Sequence, residues 1–130
     1  LLVWVHGCYG NAQGDMYKIA RSSSQSYIAI SIGGRDYIKG TNDGCWATNA
    51  DASSDTAKVI EAINHVSKYF NINPRKIYMG GYSSGGDLTY RVGLEHTGLF
   101  AGLLIENFLS RQCHRPRLLE NQHRSSCSCE

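Results

Sequence analysis

One serine sits at the centre of Gly81-Tyr82-Ser83-Ser84-Gly85, directly after the apolar residues Ile77-Tyr78-Met79. A G-x-S-x-G pattern alone is a weak signal, but its context here is strong: a strand pattern runs in and a helix pattern runs out. A strand that turns sharply into a helix holds its central serine strained, with Oγ projecting above the sheet. Side chains two positions to either side would collide with neighbouring backbone, and Gly81 and Gly85 occupy those positions. The helix that follows aims its positive end at the serine, and the Ser84 N–H is placed to donate to a developing oxyanion. This is the pattern of acyl transfer through a nucleophilic serine. The plain alternative is a glycine-rich strand-to-helix turn with a bystander serine.

Such chemistry needs a second oxyanion donor, a general base and a carboxylate to orient the base. The apolar run at residues 1–5 ends in His6-Gly7-Cys8, where Gly7 permits a turn and the Cys8 N–H can face a crevice. His6 reads as a strand-end imidazole hydrogen-bonded to loop backbone, not as the base. No Asp follows Asp87, which itself reads as a charge in a helix's first turn. Glu106, closing an apolar run, is the candidate acid of a variant arrangement. His114 and His123 are the only histidines beyond the elbow helix, and neither follows a strand that would carry it to Ser83. His65 and His96 fall on helical segments as surface or boundary residues. Base and acid are therefore expected outside this sequence.

The elements that must position these residues alternate along the chain. Residues 1–5 and the β-branched run 27–32, stopped by Gly33-Gly34, read as strands buried on both faces. Residues 7–14 read as a loop, 15–21 as a short helix, and 35–49 as a long irregular loop. A helix is predicted from residues 51–55 to Phe70, with Val59, Ile63, Val66 and Phe70 along one face. A strand over 76–80, a helix over 84–96 and a strand over 100–105 complete the series. Alternation of strand and helix argues for a mostly parallel sheet with helices on both faces.

Of 130 residues, 42% are hydrophobic and 18% charged, which suits one globular domain. The net charge of +2 resides in the tail, where Arg111, Arg115, Arg117 and Arg124 face Glu120 and Glu130. The neutral body over residues 1–108 gives no electrostatic case for nucleic acid, and no apolar run is long enough for a bilayer. Residues 109–130 carry no Gly, Val, Ile, Tyr or Asp and no periodicity, so they are expected to be a disordered tail. So abrupt a change is what translation in a shifted reading frame produces. A metal cluster of Cys113, His123, Cys127 and Cys129 lacks the usual zinc spacing, and no metal or cofactor is expected. An odd count of five cysteines cannot pair completely within one chain.

His6-Gly7-Cys8, Cys45-Trp46 and the Ser83 elbow, in that order, resemble the polyhydroxybutyrate depolymerase-like and feruloyl-esterase-like branch of the α/β hydrolases. The approach through Asn71–Pro74 and the Phe100-Ala101-Gly102 stretch are similar as well, and the resemblance stops near residue 107. It implies a partial α/β-hydrolase fold: a three-layer sandwich about a mostly parallel sheet of about four strands. In that fold the strands lie second, first, third, fourth across the sheet, and the Cys8 loop meets the Ser83 elbow where the chain reverses direction. The resemblance further implies secretion, a serine esterase acting on polysaccharide-linked acyl esters or short polyhydroxyalkanoates, and a Cys8–Cys45 disulfide. Two independent small apolar cysteines are the alternative to that bridge. A chain truncated at both ends is expected to self-associate through its unpaired sheet edges. The rival readings are a non-catalytic fragment of a disrupted gene, and a peptidase or thioesterase on the same fold.

Overall fold

The computed structural model describes residues 1–22, 26–34, 44–46 and 52–106. Its four strands are β1 (Leu2–Val5), β2 (Ala29–Ile32), β3 (Tyr78–Tyr82) and β4 (Gly102–Glu106). They form one sheet in the order β2-β1-β3-β4, and every pair is parallel. The helices are α1 (Ala12–Ser22), α2 (Ala52–Tyr69) and α3 (Ser84–Glu95). The order across the sheet is the one the sequence resemblance implies, and it fixes the reversal between β1 and β3.

Strand alternation divides the sheet into two faces. Val3, Val5, Ile32, Ile77 and Met79 form a buried core with Val59 and Ile63 of α2 and with Leu88 and Val92 of α3. Leu2, Trp4, Tyr78, Gly80 and Leu104, of opposite parity, form the other face. There the Trp4 indole N–H donates to Asp15 Oδ2 of α1 at 3.0 Å. With α1 on one face and α2 and α3 on the other, the layers number three. Beyond β1 the α1 face is open: Tyr78, Tyr82 and Leu104 are 43%, 46% and 52% exposed.

Several boundaries differ from the sequence reading for local reasons. The first helix begins at Ala12 rather than near residue 15, because Asn11 Oδ1 accepts the Gly14 N–H at 2.8 Å and caps the turn. The third strand starts two residues late, since Pro74–Lys76 forms a 3₁₀ turn capped by Asn73. Phe70 was expected on the core face of α2 but is 53% exposed. The helix ends at Tyr69, and a tight turn from Ile72 N–H to Phe70 O brings Ile72 against the core instead.

Candidate active site

The reversal in strand order puts the carboxyl ends of β1 and β3 side by side, with Val5 in register with Gly81. Ser83 lies between β3 and α3 at φ 53° and ψ −120°, a strained conformation for a residue with a side chain. Its N–H donates to Glu106 O at 2.9 Å, and its carbonyl accepts the Asp87 N–H at 3.1 Å. The turn is thus tied to β4 on one side and to α3 on the other.

The flanking glycines are a matter of space. A Cβ at Gly81 would run into the Gly85 carbonyl, and one at Gly85 into the carbonyl oxygens of Val5 and His6. Those obstacles are backbone and have no rotamer by which to yield. Sequence reasoning asked for glycine at these two positions, and the geometry supplies the cause. Ser84 opens α3, so its N–H is one of the donors that a helix leaves unpaired. On the same helix Thr89 Oγ1 donates to Gly85 O at 2.8 Å, which holds the first turn from within. Asp87, also in that turn, has its carboxyl pushed above the ordinary range by burial, and the Arg91 charge opposes the shift.

The loop after β1 lies against this turn. A Cβ built on Gly7 would stand 3.2 Å from Ser83 Cβ, so the Gly7-Cys8 segment borders the serine. Gly10 N–H closes the loop onto Gly7 O at 3.0 Å, and Tyr9 within it adopts φ 64°. A second segment clamps the loop from outside. Cys45 forms a disulfide with Cys8, and Tyr9 N–H donates to Gly44 O at 3.1 Å. The Trp46 indole N–H donates to His6 O at 2.6 Å, and its ring lies 5.2 Å from the imidazole of His6. Cys45 Sγ also stands 3.9 Å from Ser84 Oγ, so the clamp reaches the start of α3.

His6 is 1% exposed and both of its ring nitrogens are engaged. Nε2 accepts the Gly34 N–H at 2.8 Å, and Nδ1 lies 2.7 Å from Gly7 O. A ring committed on both sides has no lone pair to take a proton from Ser83, in keeping with its reading as a structural imidazole. His65 lies exposed on α2, and His96 caps the far end of α3. Glu106 ends β4 in register with Tyr82 and is exposed. His114, His123, Cys113, Cys127 and Cys129 fall outside the described residues. Among the described residues no group of three His, Cys, Asp or Glu could hold a metal ion, and no helix is long and apolar enough to cross a membrane. An open groove of about 680 Å³ along α2, bordered by Thr56, Glu61, His65 and Lys68, contains none of the elbow.

Sequence reasoning missed how tightly the 44–46 segment joins the β1 loop, and it missed the left-handed Tyr9. The Cys45-Trp46 pair carried part of that signal, because a buried indole N–H must find an acceptor.

No family profile matches the chain. A curated relative, the poly(3-hydroxybutyrate) depolymerase of Ralstonia pickettii, is 27% identical over 118 residues, covering 81% of this chain. The chain spans about a quarter of that relative's length, 24%. Among solved structures, an acetyl xylan esterase from Aspergillus awamori superposes with a TM-score of 0.68 at 20% identity, over 89% of this chain and 44% of that one. A carboxylesterase from Mesorhizobium loti gives 0.61 at 19% identity, over 81% and 56%. Both likenesses are likenesses of fold, and the fold is that of the α/β hydrolases.

Proposed function

We propose that residues 1–108 carry the core of an α/β-hydrolase fold and that the chain belongs to a serine-dependent carboxylic ester hydrolase. The observation that carries this is the backbone of Ser83, held at positive φ between a strand and a helix with no room for side chains at Gly81 and Gly85. In the proposed step Ser83 Oγ bonds to the acyl carbon while its proton passes to a general base. The carbonyl oxygen, now negative, accepts from the N–H groups of Cys8 and Ser84. The intermediate collapses by breaking the carbon–oxygen bond to the alcohol, which takes the proton and leaves. Water then repeats the sequence on the acyl-enzyme. The base and its carboxylate are assigned outside the described residues.

The names of the relatives favour polymer-linked esters as substrates, either acetylated polysaccharide or a polyhydroxyalkanoate. The Cys8–Cys45 bridge fits a protein working in an oxidising compartment. Residues 109–130 are assigned no part in the chemistry. We also propose that this chain self-associates through its outer strands.

Hydrolysis of p-nitrophenyl acetate by the 130-residue chain and by Ser83→Ala tests the assignment. A triad enzyme stripped of members keeps a residual ~10³–10⁴-fold over water through its oxyanion hole and binding. That residual does not run through the serine, so Ser83→Ala is expected to keep it, while mass spectrometry should find an acetyl group on Ser83 in the wild-type chain alone. An acetyl-enzyme, or full esterase turnover, that survives the alanine change would reject Ser83 as nucleophile.

A further inference from the structure

We infer that His6 is a positioning residue for the oxyanion site: its imidazole fixes the rotation of the Gly7–Cys8 peptide and so aims the Cys8 N–H. The inference rests on the proposed function above, which makes that N–H a donor to the substrate.

The Gly34 N–H can only donate. Its 2.8 Å approach to Nε2 requires a bare lone pair there, so a neutral His6 ring carries its proton on Nδ1. Nδ1–H then donates to Gly7 O at 2.7 Å. The same carbonyl accepts the Gly10 N–H at 3.0 Å. Gly7 O and Cys8 N–H belong to one planar trans peptide, in which C=O and N–H point in opposite directions. Two donors gripping the carbonyl therefore fix the direction of the amide hydrogen at the other end. Because a Cβ on Gly7 would lie 3.2 Å from Ser83 Cβ, that peptide borders the serine.

The grip is itself held in place. His6 is 1% exposed, its carbonyl receives the Trp46 indole, and the next residue after Gly7 is bridged to Cys45. Gly34, at the end of β2, sets the tautomer from the far side of the ring. A residue outside the reacting atoms thereby decides whether the oxyanion site has one donor or two. Rotation of the Gly7–Cys8 peptide would break both bonds to Gly7 O and turn the Cys8 N–H away from the serine.

Two substitutions separate the two ring nitrogens. Asn places an amide N–H near the position of Nδ1 but cannot reach Gly34. Gln can accept from Gly34 but places no donor at Gly7 O. With p-nitrophenyl acetate, His6→Gln is expected to lower kcat by about 10- to 100-fold, below the full loss of an oxyanion donor, with KM little changed. His6→Asn is expected to recover most of that rate. Thermal unfolding of each variant shows whether the fold persists. Nitrogen-15 NMR of the wild-type ring should find a protonated Nδ1 and a bare Nε2. Equal rates for Gln, Asn and wild type, equal losses in both variants, or a ring protonated on Nε2 would each overturn the inference. A wild-type chain that never carries an acetyl group on Ser83 would instead overturn the serine reading on which the inference rests.

Discussion

At the scale of single residues, steric exclusion separates a serine elbow from an ordinary serine loop. Gly85 is the sharpest case, since its missing Cβ would meet two carbonyl oxygens at the end of β1. Gly85→Ala is expected to destabilise the chain by at least the ~1–3 kcal/mol typical of overpacking, because backbone cannot repack as side chains do. Gly98→Ala is the control, as a Cβ there meets nothing within 4 Å. Urea denaturation of both variants tests the contrast, and equal midpoints would mean that α3 does not approach β1 as closely as described. Ser83, Gly81 and Gly85 were legible in the sequence because each is dictated by its own local geometry. The grip of His6 on Gly7 O and Gly34 N–H was only half legible. Its partners lie one and 28 residues away, and no local pattern announces the second.

Among elements, apolar runs marked the described strands, periodicity marked α2 and the serine elbow marked α3, while their ends were less well read. Two of the misplaced ends are set by single side-chain bonds: Asn11 extends α1 backward, and Asn73 delays β3. Both asparagines are ordinary loop residues by type, and only the finished turn shows which backbone N–H each accepts. Phe70 shows a different failure. Its spacing continues the apolar stripe of α2, yet the helix stops one residue earlier, and position in a pattern means nothing past its end. The link between the β1 loop and the 44–46 segment was beyond periodicity altogether. It joins residues 37 apart through a disulfide, and only the family resemblance pointed to it.

For the whole molecule, the sheet edges and the open face set the expected behaviour in solution. Among the described residues β2 and β4 are the outer strands, and Leu103 and Leu104 of β4 are 38% and 52% exposed. Tyr78 and Tyr82 extend the apolar surface of Leu104 across β3, while Leu103 lies on the α3 side. Neither β2 nor β4 carries a Lys or Pro, and the one charge in them, Glu106, lies exposed at the last position of β4, so the usual devices against edge pairing are few. Size-exclusion chromatography with light scattering should find the chain associating as its concentration rises, and a stable monomer throughout would contradict the proposal. The nucleophilic role of Ser83 is tested most sharply by a covalent label. After prolonged exposure to an alkyl fluorophosphonate, peptide mass spectrometry should place one phosphonyl group on Ser83, leave Ser84 unmodified, and find no adduct at this site in Ser83→Ala. A label on Ser84, labels spread over surface serines, or an unlabelled Ser83 would contradict the account.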